Sequence, residues 1–395
     1  MSEIIRIPTI NPPGLEYKRC ANVLSKRLGE IGFDVEIIEI PEDYLDKHYP
    51  YAPQHRGYPR LIVYGRRGGG SKTLHFNGHY DVVPPGSSWT RDPFTPIIEG
   101  DRIYGRGSTD MKGGVASIIA ALKKMRDQGL DRGITLEVLF VPDEESGGVG
   151  TRYYVENRSS VPEYVVVAEP STTKKVVIGH KGLVRGVVKV YGKQVHGSVP
   201  WLGENAFLKA SELSLKFMEL YNPILMSRST NAPVENEFSK HPTINLGGYA
   251  ESLSRKDNIV PGEFVFSIDR RVIPEEDIDY VINELREILA KASMIVGARH
   301  DLKILSAVPP ALTPQNAKLV DVSTSCVEKI LGINPRILIS TGRNDGVFYR
   351  SRGSEVVTYG PGVEKTPHMP DEYNSIEEIQ RSIDVYVCIA RTLQQ

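Results

Sequence analysis

Ile134-Thr-Leu-Glu-Val-Leu-Phe-Val-Pro-Asp-Glu-Glu-Ser-Gly-Gly148 is the stretch that decides the fold. Its apolar, β-branched run from Ile134 to Val141 reads as a buried strand, which breaks off into a proline, three acidic residues and a glycine pair. The pattern recurs: Thr73 to Phe76 runs into Gly78-His79-Tyr80-Asp81, and Tyr164 to Ala168 runs into Glu169-Pro170. Arg60 to Tyr64 is a further run of this kind. Between them, Val115 to Gln128 is apolar at helical spacing and stops before Gly129, a suitable C-terminal cap. Strands alternating with helices predict an α/β sandwich with helices on both faces of the sheet. Gly68 to Gly70 reads as a turn, because no Gly-Lys-Ser/Thr follows to make a phosphate loop.

From Gly182 the period changes. Leu183 to Tyr191, Thr243 to Leu246, Glu263 to Val272 and Asp301 to Leu305 read as strands, and Ala206 to Tyr221 and Glu275 to Lys291 as helices. The order β-α-β-β-α-β predicts a small antiparallel sheet with two helices on one face. The first pattern then resumes, with helices at Asn316 to Leu331 and Ser375 to Leu393 and strands at Arg336 to Ser340 and Glu355 to Thr358. One domain is therefore expected to be inserted in another: residues 1–182 and 308–395 form the outer domain and 183–307 the insert. Gly182 and Val308-Pro309-Pro310 are the expected pivots.

The 395 residues leave ample room for a buried core, and 40% apolar with 25% charged residues excludes a collagen, a coiled coil or a disordered chain. Lys and Arg number 48 against 49 Asp and Glu, a net charge of −1, so no global field favours nucleic acid or an anionic membrane. Cys20, Cys326 and Cys388 form no CxxC pair, and their odd number suits free thiols in a reducing compartment. Met1 to Pro13 lacks the charged and long apolar regions of a secretory leader, and no apolar run reaches the roughly 18 residues of a membrane span. A cytoplasmic location is the expectation.

The chemistry sits where the strands end. The carboxyl ends of strands form the ligand crevice of an open α/β sheet, so His79, Glu144, Glu145 and Glu169 can converge there. Asp110, in Gly105-Arg-Gly-Ser-Thr-Asp-Met-Lys-Gly-Gly114, lies in a tight loop just before a helix, and His368 adds a second imidazole. Any one of these residues alone is more simply a turn or cap residue. Together they are a costly concentration of negative charge unless cations neutralise it. Mixed imidazole and carboxylate donors suit Zn, Co or Mn, and more than three carboxylates point to two metals with one bridging ligand.

Gly-His79-Tyr-Asp81-Val-Val-Pro, Tyr-Gly-Arg-Gly-Ser-Thr-Asp110-Met-Lys-Gly-Gly, Asp-Glu144-Glu145-Ser-Gly, Ala-Glu169-Pro, Val-His196-Gly and Pro-His368-Met-Pro-Asp-Glu occur in this order. As a set they resemble the di-zinc family of acetylornithine deacetylase, succinyl-diaminopimelate desuccinylase, carboxypeptidase G and the aminoacylases, from about Pro8 to the end of the chain. The resemblance implies a zinc-exopeptidase-like three-layer α/β sandwich with an inserted ferredoxin-like α+β lid and dimerisation domain. It implies two divalent metal ions per chain, zinc first and cobalt or manganese as alternatives. His79 and Glu169 would hold one metal, Glu145 and His368 the other, and Asp110 would bridge. Asp81 would orient His79 through its other ring nitrogen. Glu144, beside a ligand but not itself one, would be the general base.

His196, in Lys193-Gln-Val-His-Gly-Ser-Val-Pro200, matches the family histidine that reaches a neighbouring subunit's site, which implies a homodimer. Asp257-Asn258-Ile-Val-Pro261 and Ile268-Asp-Arg-Arg271 resemble the desuccinylase's carboxylate-holding motifs, so Asn258 and Arg271 are candidate substrate anchors. Thr341-Gly-Arg343-Asn344-Asp345-Gly346 departs from that enzyme's Gly-Thr-Ser-Asp-Gly loop by placing Arg343 where a hydroxyl stands. Gly179-His180-Lys181-Gly182 stands where it has paired arginines. The expected activity is metal-dependent hydrolysis of an N-acyl amino acid, with a dipeptidase or carboxypeptidase as the alternative. A nucleotide-binding oxidoreductase would need a glycine fingerprint after the first strand followed by an acidic residue about 20 residues on, and no such placement is convincing here. A non-catalytic binding protein would lack a ligand or the base, and none is missing.

Overall fold

The four apolar runs pair in one sheet of a computed structural model that describes residues 1–395. In chain order the main elements of its first part are α1 (Tyr17–Glu30), β1 (Asp34–Glu39), α2 (Glu42–His48), β2 (Leu61–Arg67), β3 (Thr73–His79) and α3 (Lys112–Asp127), then β4 (Thr135–Val141), α4 (Val149–Glu156), β5 (Tyr164–Val167) and β6 (Lys175–His180). The middle contributes β7 (Gly182–Tyr191), α5 (Ala206–Met226), β8 (Thr243–Ser252), β9 (Glu263–Val272), α6 (Ile278–Val296) and β10 (Arg299–Val308). The last part supplies α7 (Lys318–Leu331), β11 (Arg336–Ser340), α8 (Gly346–Arg350), β12 (Glu355–Thr358) and α9 (Ile376–Leu393). The chain divides into two units: residues 1–179, 313–338 and 344–395, and residues 180–312 with 339–343.

The sheet of the first unit runs β1-β2-β4-β3-β5-β12-β6. Its centre, β4, β3, β5 and β12, is parallel, so these strands end on the same side. Alternate residues of β3 serve the two faces. Phe76 lies 5.2 Å from the ring of Tyr386 on α9. A Cβ at Gly78 would come within 3.1 Å of Met111 and 3.4 Å of Val115, so the glycine lets the start of α3 press against the strand. On the opposite face Leu139, Val141, Val165, Val167 and Val356 form a buried cluster with Leu45 of α2, Val149 and Tyr154 of α4, and Tyr349 of α8. Helices therefore cover both faces, as the alternation of strands and helices requires.

The second unit is an antiparallel sheet, β8-β9-β7-β10. Val184, Val188, Val190, Phe266 and Ile268 face Leu213 and Phe217 of α5 and Leu285 and Leu289 of α6. Helix α6 starts later than the apolar period suggests. Asp277 caps it by accepting from the Tyr280 amide, and Glu276, outside the helix, pairs with Arg228 and Arg270 at 2.8 and 2.5 Å.

One expectation is overturned. Cys326 of α7 and Cys388 of α9 form a disulfide, with Cα atoms 5.7 Å apart, and only Cys20 is free. The two helices pack side by side and bring together positions 62 residues apart, a meeting that no CxxC spacing announces. The inference of a reducing compartment from three free thiols loses its basis. No helix is long and apolar enough to cross a membrane.

Closing a 62-residue loop limits the freedom of the unfolded chain, a stabilisation of roughly 2–4 kcal/mol. Cys388→Ser should lower Tm by several degrees in scanning calorimetry, and a reductant should lower the Tm of the wild type towards the variant's while leaving the variant unchanged.

Candidate metal and catalytic site

Three strand ends build the site. His79 is the last residue of β3, Glu144 and Glu145 follow β4, and Glu169 follows β5. Asp110 comes from the loop before α3, and His368 from the segment between β12 and α9. Both of the facing oxygens of Asp110 are engaged. Its Oδ1 lies 3.0 Å from His79 Nε2, and its Oδ2 lies 3.3 Å from His368 Nε2. His79 Nε2 is also 3.5 Å from Glu169 Oε1, and His368 Nε2 is 2.9 Å from Glu145 Oε1. Donor atoms of His79, Glu144 and Glu169 lie within 4.8 Å of one another, as do those of His79, Asp110 and Glu145.

Asp81 stands behind His79. The Nδ1 of His79 is 3.0 Å from the Asp81 carbonyl and 3.3 Å from its Oδ1, which leaves Nε2 for the site. The two carboxylate oxygens of Asp81 accept from the backbone amides of Glu144 and Glu145, each at 3.2 Å. One buried acid thus fixes an imidazole and two neighbouring glutamates.

The Asp110 loop is held by a residue that the sequence places in the His368 motif without a role. Glu372, 1% exposed, accepts from the amides of Gly107, Thr109 and Asp110 at 3.2, 2.8 and 3.0 Å, and from Arg106 Nη1 at 2.6 Å. Its only signal in the sequence is its nearness to His368. Gly107, at φ 83°, lets the loop turn where a Cβ would come within 2.7 Å of Val82.

The electrostatics follow from crowding. Burial disfavours a charge on Glu169, and the negative neighbours Asp110, Glu144 and Glu145 add to that, so its pKa is held well above the usual carboxylate range despite His79. Burial and Asp110 likewise raise Glu145. Burial opposes a charge on His79, yet Glu169, Asp110 and Asp81 hold its pKa well above that of an ordinary imidazole. Hydrogen bonds to Asp110 and Glu145 push His368 up to about 10. Protonated imidazoles here do what a cation would do. Every donor is an imidazole nitrogen or a carboxylate oxygen, with no thiolate, and that chemistry suits Zn, Co or Mn.

The remaining expected site residues belong to the second unit. His196 is exposed, and its Nδ1 is tied to Ser198 Oγ at 2.8 Å. Asn258 is its neighbour through the Gly197 amide, which donates to the Asn258 carbonyl at 2.7 Å. Arg271 Nε is 2.8 Å from Asp269 Oδ1. Arg343 lies in the 339–343 segment of that unit.

The sequence profile of Peptidase family M20/M25/M40 matches residues 75–392. An uncharacterised metallohydrolase of Methanocaldococcus jannaschii is 29% identical over 98% of this chain and 96% of its own length. A succinyl-diaminopimelate desuccinylase of Nitratiruptor is 28% identical over 91% of this chain and 94% of its own. Among solved structures, an M20 family metallo-carboxypeptidase of Sulfolobus solfataricus superposes with a TM-score of 0.78 at 22% identity, covering 100% of this chain and 98% of that one. The di-peptidase Dug1p of Saccharomyces cerevisiae gives 0.76 at 14% identity, covering 100% and 94%. At these identities the structures speak for the fold.

A folded-state pKa above the unfolded one contributes stability that is complete below the unfolded value and is lost as pH rises through the folded value. For His368 those limits are 6.5 and about 10. Thermal melts of metal-free protein should therefore show wild type losing stability relative to His368→Ala as pH rises through that window.

Proposed function

The chain belongs to Peptidase family M20/M25/M40, and from that premise we propose that it hydrolyses the amide bond of an N-acyl amino acid with a metal-activated water. The observation that carries this reading is the arrangement of Asp110 between His79 and His368, with Glu144, Glu145 and Glu169 alongside. His79 and Glu169 would hold one divalent cation and Glu145 and His368 the other, with Asp110 shared between the two positions. Zinc is the first candidate for both. When bound there, the cations would supply Lewis acidity to an attacking water and to the scissile carbonyl.

The work of the protein groups follows from their positions. Glu144 takes the proton of the attacking water on its carboxylate and returns it to the leaving amine. Asp81 keeps His79 in the tautomer that points Nε2 into the site. His196 supplies a donor to the tetrahedral oxyanion of a partner subunit. Asn258, Arg271 and Arg343 recognise the free carboxylate of the substrate. Asp269 orients the Arg271 guanidinium by accepting from its Nε and Nη2 at 2.8 and 3.3 Å.

Two amide classes fit, and both carry a free α-carboxylate. The desuccinylase relative supports an N-acyl amino acid. The carboxypeptidase and the di-peptidase among the structural neighbours support a short peptide. A panel of N-acyl amino acids and dipeptides assayed on metal-loaded protein separates them.

A homodimer formed through the second unit is part of this proposal. Its edge strand β8 and the exposed Phe207, Leu208 and Leu215 of α5 offer an apolar surface and open backbone groups to a second copy.

Glu144→Gln should keep its metal content by elemental analysis while turnover falls at least about a hundredfold; wild-type turnover in that variant overturns the base assignment. Mixing His196→Ala with Glu144→Gln chains should recover activity in heterodimers, because one composite site then holds a native base and a native donor. A fully active monomer overturns this last assignment.

A further inference from the structure

Asp143 immediately precedes Glu144 and Glu145, yet its carboxylate is turned into the interior. It is fully buried and spends both oxygens there. Oδ1 accepts from Tyr17 Oη at 2.9 Å and Asn11 Nδ2 at 3.0 Å, and Oδ2 accepts from Arg60 Nε at 2.9 Å. Arg60 is equally buried. Its Nη1 donates to the carbonyls of Tyr58 and His55 at 2.7 and 3.3 Å, and its guanidinium carbon lies 4.6 Å from the ring centre of Tyr49 and 5.4 Å from that of Tyr17. The other hydrogen of Asn11 Nδ2 goes to Asp81 Oδ2 at 3.1 Å, so one amide clamps Asp143 to Asp81. Tyr49 Oη fixes that amide by donating to Asn11 Oδ1 at 2.7 Å.

A buried ion pair is poorly explained by stability alone, since well-packed apolar side chains of similar volume often serve as well or better. The backbone gives the stronger reason. Asp143 adopts φ 62°, a left-handed conformation uncommon outside glycine. In that conformation its carbonyl closes the turn by accepting from the Gly148 amide at 2.8 Å, and the next two amides each meet one oxygen of Asp81. The charge of Arg60 also offsets the repulsion between Asp143 and Asp81, two acids joined through one asparagine.

We infer that Arg60 and Asp143 are a positioning pair for the reaction: their buried contact holds the 143–148 turn so that Glu144 faces the substrate amide. The inference rests on Glu144 being the base. Neither residue touches the expected metal ligands through its side chain. Lines of contact run from Arg60 to Asp143, through Asn11 to Asp81, and from Asp81 to the Glu144 amide.

The geometry also offers a route to a test. Gly14 touches the guanidinium, since a Cβ there would lie 2.9 Å from its central carbon, and Gly14 lines an open cleft of about 660 Å³ together with Tyr17, Tyr58 and Pro59. Arg60→Ala therefore leaves a guanidinium-shaped space beside the cleft. In the metal-loaded full chain this variant should lose about a hundredfold in kcat, the cost of roughly 1 Å of misplacement, with KM held within about twofold. Metal content should match wild type, and millimolar guanidinium should restore at least about tenfold of the lost kcat. If Arg60→Ala does not fold, Arg60→Lys, which keeps the charge and loses the fork, should show the same split of kcat from KM in smaller measure. Unchanged kcat in a folded variant overturns the inference. So does a crystal structure of the variant in which the Glu144 and Glu145 amides still sit on Asp81. That second readout needs no substrate, so it decides the role of the pair even if wild type hydrolyses nothing in the panel, an outcome that would instead overturn the proposed function.

Discussion

Gathering Asp110, Glu144, Glu145 and Glu169 around two imidazoles in a largely buried crevice is the constraint to which the first unit answers. Like charges at these separations repel strongly once water is thinned out, and burial alone already penalises each carboxylate. In the absence of a cation, His79 and His368 take up protons well above the usual imidazole range to balance the acids. Divalent cations bound there would compensate the same charge without protons. The parallel centre of the sheet makes the gathering possible, because β4, β3 and β5 end side by side and on the same side.

Two of the three loops that contribute acid have a buried ion pair beneath them. Asp143 and Arg60 anchor the turn that carries Glu144 and Glu145, at 2.9 Å, and Glu372 and Arg106 anchor the loop that carries Asp110, at 2.6 Å. In both pairs the carboxylate or its neighbour also engages backbone amides, so the charge is spent on loop shape. This is where a buried pair is more useful than an apolar contact: hydrophobic packing sets distance but not the direction of an amide.

The inner face of β3 shows how polar residues are kept inside the fold. His75 and Asn77, 0% and 1% exposed, alternate with Phe76 and point to the same face as His79. His75 joins Glu137 at 3.2 Å and Tyr349 Oη at 2.9 Å; Asn77 joins Thr151 Oγ1 at 3.0 Å, and Thr151 donates to Asp345 at 2.5 Å. Asp345 thus has a structural partner in α4, while Asn344 donates to Thr358 at 2.8 Å. Satisfied networks of this kind give a central strand a fixed register.

The apolar runs at Thr73, Ile134 and Tyr164 were legible in the sequence because a strand buried on both faces needs little else to declare itself, and the acids and histidines at their ends followed from the same reading. The β-α-β-β-α-β order of the insert was legible for a similar reason, since β7, α5, β9 and α6 each carry their own period. Element bounds were set more by tertiary partners, as when Glu276 left α6 to pair with Arg228 and Arg270. Helix α1 and strand β1 do not declare themselves in this way; β1 has no buried residue and edges the sheet. What only the tertiary structure decided are the pairings across long stretches of chain: Cys326 with Cys388, Glu372 with an amide 262 residues away, and Arg60 with an acid 83 residues away. Local periodicity records which face of an element is buried, but it holds no record of which distant side chain arrives there, because that depends on how the packed elements bring their faces together.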